Sequence, residues 1–298
     1  SGNTATATIV TTSLATGDDV LVAANAPAGN FAGVADETGF NAKTEGIESA
    51  VLSSSDNTKE INTNIPMYGA STLNGSGSAF TAAVSVQHQL AKITLDDLEV
   101  AFDANGPYKE AEFTPTEFFL VNVPEKLAFN SNAWVNGASH LHGMSSTTYS
   151  SLTAATEWGT YKEYLSSAAT GSTALKGTSD TYASKSYFYV TPCDDASTDG
   201  KMKLIIAGTF KTNSSDAGTT VFYPVAINAT YAADGTPSAA TNGGADVFKV
   251  YPNKNYKCKV VIKTIGTTDP TKNLDPQTAT VTVTVTDFVD ASQTTTFE

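Results

Sequence analysis

The sequence predicts an all-β protein built as two β-sandwich domains in tandem. Three observations carry this. Apolar residues recur with a period of two along most of the 298 residues, the spacing of half-buried strands. Clusters of Gly, Pro, Asn and Ser cut the chain into many short runs, as sandwiches require. The run ATVTVTVTDFV, residues 279–289, alternates valine and threonine almost without interruption.

Residues 4–10 alternate small and polar side chains. Residues 18–25 (DDVLVAAN) form a short apolar run closed by Pro27 and Gly29, which suits a buried strand. Residues 44–55 break the pattern: Ile47, Val51 and Leu52 fall at helical spacing, with Thr44 as a candidate cap and Glu45 in the first turn. One short helix is expected there. Val84, Val86, His88 and Leu90 share a strand face. The parity then flips to Ile93 and Leu95, and again to Leu98, Val100 and Phe102. Each flip requires a bulge or turn, placed near Ala91-Lys92 and near Asp96-Asp97. Asn105-Gly106-Pro107 is a strong break and sets the expected domain division into residues 1–106 and 107–298.

Residues 118–123 are apolar on both faces. Residues 130–185 are a long Ser-, Thr-, Ala- and Gly-rich insertion with scattered aromatics, expected on the surface. Strands follow over 187–191, 202–210, 221–227, 247–251 and 256–265. In the final run Val281, Val283, Val285 and Val289 occupy one face, and Thr280, Thr282, Thr284, Thr286 and Phe288 the other. Such a strand must pair with something. Either it closes its own sandwich as an edge strand, or it is given to a neighbouring molecule.

Composition excludes several functions. The net charge is −13, and all 17 basic residues are lysine. An acidic chain without arginine repels phosphate backbones and lacks their bidentate reader, so nucleic acid is not expected as a partner. No apolar run reaches the ~18 residues of a membrane helix. The chain opens without a basic and apolar leader, so any signal peptide is expected to have been removed. Two cysteines, Cys193 and Cys258, are too few for a disulfide scaffold; they could form one bridge or remain buried thiols.

Catalytic and metal motifs are missing. His140 and His142 offer half of a zinc site, but no Cys or Glu stands at ligand spacing. Residues 195–200 (DASTDG) imitate the start of a calcium loop, with Ile206 where the bidentate Glu belongs. The pairs Asp18-Asp19 and Asp96-Asp97 are adjacent, so on a strand their side chains point apart. Neither an enzymatic activity nor a cofactor or metal is expected. Trp134 and Trp158 could stack on sugar rings or anchor loops.

Residues 184–298 resemble the C-terminal half of the fimbrillins, the fimbrial subunits of Bacteroidales. The pieces YFYVTP, KLIIAG, VFYPVAIN, YPNKNYKCKVVIKTIGTTDP and the terminal VTDF carry the likeness, in that order. DDVLVAANAP, IPMYG and HQLAKITLDDLEV resemble strands of the family's first domain, and VNVPEKLAFNSN the start of its second. The match is nearest to the major shaft (FimA-like) subunit type. The family often has Trp where Phe288 stands, and residues 130–185 match nothing in it.

The resemblance implies two transthyretin-like β-sandwich domains and a place on the cell surface, in fimbriae at the outer membrane, reached through the periplasm. It implies a lipoprotein precursor, anchored to the membrane only by a segment that an Arg-specific protease removes together with the first strand. That removal opens a groove in the first domain, and the C-terminal strand of another copy or a related subunit fills it. On this reading the final strand is donated, with Val281, Val283, Val285, Phe288 and Val289 as groove-filling side chains. Val20, Val22, Val84, Val86, Leu90 and Ile93 are the candidate acceptor residues. An accessory or tip adhesin is the alternative, with Trp134, Trp158 and Tyr161 meeting a host protein or glycan. A mature chain without arginine would offer the maturing protease no second cut.

Overall fold

The computed structural model describes residues 6, 13–53, 56–60, 65–77, 79–135, 137–150, 152, 158–194, 201–232, 236–272 and 279–288. The chain is all-β. Its principal strands are β1 (Asp19–Ala24), β2 (Met67–Thr72), β3 (Gln87–His88), β4 (Ala91–Val100) and β5 (Glu112–Val121). They are followed by β6 (Ser186–Val190), β7 (Lys203–Lys211), β8 (Thr219–Ala226), β9 (Lys254–Ile262) and β10 (Ala279–Asp287).

Two sheets make the main sandwich. In the first, β4 lies between β9, its parallel neighbour, and the antiparallel β6, and β10 closes the sheet beyond β9. In the second, the order runs from Ser166–Ala168 through β5 and β7 to β8, all antiparallel. Ile93, Leu95, Tyr256 and Val260 of the first sheet join Phe113, Phe118, Leu204, Ile206 and Tyr223 of the second in one buried cluster. The single polar group that Tyr223 brings inside is satisfied, because its hydroxyl donates to the Thr264 carbonyl at 2.9 Å.

Several sequence expectations take physical form here. The parity flip at Asp96-Asp97 is a bulge: β9 pairs Cys258 with Leu95 and then Lys259 with Asp97, skipping Asp96. The two carboxylates do point apart, Asp96 to Lys185 and Asp97 to Lys259. The helix is shorter than expected, Ile47–Val51, because Thr44–Gly46 pairs as a strand with Lys126–Ala128 instead of capping it. The Ile47 amide is taken by the Glu125 carbonyl at 2.8 Å. Residues 247–251 form no strand beyond a single bridge between Val250 and Cys193. Residues 4–10 lie almost wholly, and residues 195–200 wholly, outside the described residues.

The expected division at residue 106 does not coincide with a break in hydrogen bonding. β4, on its amino side, is a central strand of the same sandwich as β5 on its carboxyl side. The Asn105-Gly106-Pro107 turn carries the chain from one sheet to the other. A Gly-Pro break marks a crossing between sheets as strongly as it marks a linker. β4 and β5 thus belong to one sandwich, and a separate three-stranded sheet, β1-β2-β3, precedes them in the chain.

The insertion is only partly a surface feature. Phe119, Val121, Ile205 and Phe222 project from the outer face of the second sheet, and Met144, Tyr149 and Trp158 cover them in a second buried cluster. This cover explains why residues 118–123 are apolar on both faces.

Glu45 lies in the Thr44–Gly46 strand and is 5% exposed. Ser49 Oγ donates to its Oε1 at 3.1 Å, and among the described residues Oε2 has no partner. Burial pushes its carboxyl up to about 7. The folded state therefore holds a proton that the unfolded chain releases near its ordinary 4.5. The stabilisation is complete below that ordinary value and is lost as pH rises through about 7. Thermal melts are expected to fall between pH 5 and pH 8, by an amount corresponding to at most about 3 kcal/mol. Glu45→Gln should flatten this slope; an unchanged slope in the variant would show that other groups set it.

Candidate functional site

The C-terminal strand sits in its own sandwich. β10 pairs with β9 over nine residues, from Ala279 opposite Ile262 to Asp287 opposite Lys254. Val283 and Val285 are buried, Val281 is half-buried, and Thr280, Thr282, Thr284 and Thr286 face solvent. The valine-threonine alternation is thus one buried and one wet face of an edge strand. Phe288 is buried too, although its parity puts it with the threonines. The chain leaves the strand after Asp287, its amide reaching the Asn253 carbonyl at 2.9 Å. The ring turns in against His88 at 4.8 Å and Tyr189 at 5.5 Å. Val289 lies outside the described residues.

Among the described residues, the outer edge of β10 is bridged at Thr284, and Thr230–Tyr231 lies close to the strand. Thr241 bridges to Thr284, and the Val285 amide donates to the Thr241 carbonyl at 3.3 Å. The backbone groups of Val285 therefore point away from β9. By the alternation of antiparallel ladders, Val285 with Tyr256 and Val283 with Cys258 are non-hydrogen-bonded pairs, the closer kind. Residues 284 and 286 carry the ladder bonds to β9.

The candidate acceptor residues divide. In the N-terminal sheet Val22 lies opposite Gly69. A Cβ on Gly69 would fall 2.4 Å from the Ser85 carbonyl and 2.9 Å from Val84 Cγ1. The 84–85 segment therefore crosses the face that carries Val20 and Val22, and glycine is what lets it approach. Val20, Val22 and Val84 are half-buried, and Val86 nearby is 38% exposed. Leu90 and Ile93 do not belong to this group. Both are fully buried in the main core, and Ile93 is enclosed by β6 and β9 on either side of β4. An alternating face looks the same in sequence whichever sheet receives it.

β1 is an edge strand with β2 as its one partner among the described residues. The pair ends in a bulge at Gly17, whose φ of +96° requires glycine. There the Gly17 amide donates to the Leu73 carbonyl at 2.9 Å, and the Leu73 amide to the Asp18 carbonyl at 2.8 Å. Counting from Asp18, Val20 and Val22 face β2 with their backbone groups. Asp19, Leu21 and Ala23 present theirs outward.

The aromatic candidates also separate. Trp158 is 2% exposed, held over the outer face of the second sheet, so it presents no ring to solvent. Tyr161 is 42% exposed, and Trp134 is half-buried. His142 is buried beside Trp158 and Tyr161, and burial holds its imidazole below the ordinary range. Among the described residues, no group of three His, Cys, Asp or Glu side chains is placed to hold a metal. Cys193 and Cys258 are both buried, and no disulfide joins them. Burial pushes the Cys258 thiol up to about 12. Among the described residues, no helix is long and apolar enough to cross a membrane.

No protein-family model and no curated protein matches the chain. Solved structures do. A fimbrilin from Porphyromonas gingivalis aligns over 94% of this chain and 82% of its own, with a TM-score of 0.59 at 20% identity. A protein from Bacteroides eggerthii proposed to act in cell adhesion aligns over 90% and 77%, with a TM-score of 0.59 at 22% identity. A protein of the same description from Parabacteroides distasonis aligns over 95% and 79%, with a TM-score of 0.62 at 13% identity. The chain has the fold of Bacteroidales fimbrial proteins. The likeness of fold extends over nearly the whole chain.

Proposed function

We propose that the chain is a structural subunit of a cell-surface fimbria. It polymerises by donor-strand exchange through β10 and supports adhesion. The observation that carries this is the fold shared with a fimbrilin over 94% of the chain. The tandem of transthyretin-like domains, the precursor anchor and export through the periplasm belong to the same reading. Its partners are other copies and related subunits.

The physical case rests on two complementary edges. β10 is amphipathic and, among the described residues, pairs along its length with one strand, β9. β1 offers an outward row of backbone groups beside Val20, Val22 and Val84. A strand added there restores ladder hydrogen bonds and covers valines left half-buried in one copy. Four valines and a phenylalanine at ~1.5–3 kcal/mol each represent on the order of 10 kcal/mol before the entropy of association. In the single chain the same strand is already satisfied against β9, so exchange trades one set of contacts for another, and release of β10 is the barrier. A head-to-tail contact that does not close propagates as a filament.

Negative-stain electron microscopy tests this reading. The concentrated chain is expected to form filaments, and a chain ending before Ala279 is expected to form none. Filaments from the truncated chain would assign the donor elsewhere.

A further inference from the structure

We propose that the cleft beside Trp134 is a binding site for a single neutral sugar ring, distinct from the strand-exchange surfaces. It has a volume of about 280 Å³ and is lined by Pro124 and His140, by Trp134, Val135, Gly137 and Ala138, and by Pro192 to Asp194. This rests on the adhesive half of the proposed function and names the ligand class that half would use.

The Trp134 ring is fixed before any ligand arrives. Its indole N–H donates to the Val250 carbonyl at 3.3 Å, an oxygen that also accepts from the Cys193 amide at 2.9 Å. The Tyr251 ring packs at 5.7 Å, and the Lys249 ammonium lies 5.2 Å from the ring centroid. The flanking residues 249 and 251 thus grip the indole from one short segment, while Val250 points inward. A pre-set aromatic platform loses little entropy on binding.

Charge then narrows the ligand. Lys249 is held by Asp194 at 2.7 Å and by Asp246 at 3.2 Å. A cation would seek the Asp194 carboxylate, which Lys249 already holds. An anion meets two carboxylates against one ammonium that is fully engaged, so sialylated, sulfated or phosphorylated groups are disfavoured. What remains are walls of Trp134, Pro124 and Pro192, with His140 and Asp194 as the polar residues of the lining. Flat apolar walls with polar groups between them match a pyranose, whose C–H faces stack and whose hydroxyls lie around the rim. At the small end of ligand clefts, which begin near 300 Å³, the volume suits one ring and not an extended chain.

The test titrates the full chain with methyl β-D-galactopyranoside, methyl α-D-mannopyranoside and N-acetylneuraminic acid. Saturation-transfer NMR reads binding, and in a Trp158→Phe background all indole fluorescence reports Trp134. At least one neutral glycoside is expected to bind saturably with a Kd of about 1 mM. Trp134→Ala should abolish binding, and His140→Ala, which leaves the indole in place, should weaken it about fivefold. No saturation by either neutral glycoside at ~20 mM, twenty times that Kd, would overturn the proposal. So would undiminished binding by Trp134→Ala, or N-acetylneuraminic acid binding as tightly. Filament formation, followed in parallel, separates the two readings: filaments without sugar binding sink only the cleft, and sugar binding without filaments sinks only strand exchange.

Discussion

Val283→Cys is expected to lock the subunit as a monomer under oxidising conditions and to release it on reduction. Val283 is the antiparallel partner of Cys258. The outward turn of the Val285 backbone makes this a non-hydrogen-bonded pair, whose Cα atoms stand about 4.5 Å apart, within the range a disulfide spans. One substitution therefore creates a bridge that ties β10 to β9 without moving either. The buried Cys258 thiol, pushed up to about 12, forms little thiolate, so the bridge must be made during refolding, before the core closes. Cys193 lies outside this ladder, bridged by its backbone to Val250. The locked monomer should gain about 2–4 kcal/mol of stability and melt roughly 5–10 °C higher. Filament yield should fall to background, returning with dithiothreitol. A locked chain that polymerised at the unmodified rate would show that β10 never leaves, whatever else joins the subunits.

How much of this was legible in the sequence differs from strand to strand. The valine-threonine run could be read to within two residues, because period-two alternation over nine residues has no competing explanation. The parity flip at Asp96 announced a bulge, because a strand with one buried face cannot change parity otherwise. Partners in space were not legible. Val84 packs over Gly69, the partner of Val22, whereas Leu90 and Ile93, with the same alternation, are buried in the main core. Trp134 and Trp158 sit in equally polar surroundings in the chain. Only the apolar outer face of β5 and β7 decides that Trp158 is buried. The Asp194–Lys249 pair, which shapes the cleft, joins residues far apart in sequence and left no local signal. The Gly-Pro break near residue 106 suggests a domain division in the sequence, and in the structure the chain turns there from one sheet to the other. Its place between two sheets of one sandwich depends on the parallel pairing of β4 with β9, which no local pattern encodes.

Leu21→Pro is expected to abolish the acceptor function while leaving the donor intact. Leu21 lies at the centre of β1 with its amide directed away from β2, so proline there removes an outward donor and no ladder bond. Its φ near −65° is tolerated on an edge strand. Leu21→Ala is the control, since it loses the same half-buried side chain but keeps the N–H. Both variants should remain folded, with losses of about 1–2 kcal/mol from the missing side chain. The alanine chain should polymerise. The proline chain alone should not, because an incoming strand meets a missing donor and a pyrrolidine ring at the middle of the edge. Mixed with the unmodified chain, the variant can still give its own β10 and then accept none, so each incorporation ends a filament. At one variant in ten, mean filament length should fall to roughly ten subunits, as head-to-tail growth with a terminator requires. Unshortened filaments in the mixture, together with normal assembly of the proline chain alone, would place the acceptor on another edge.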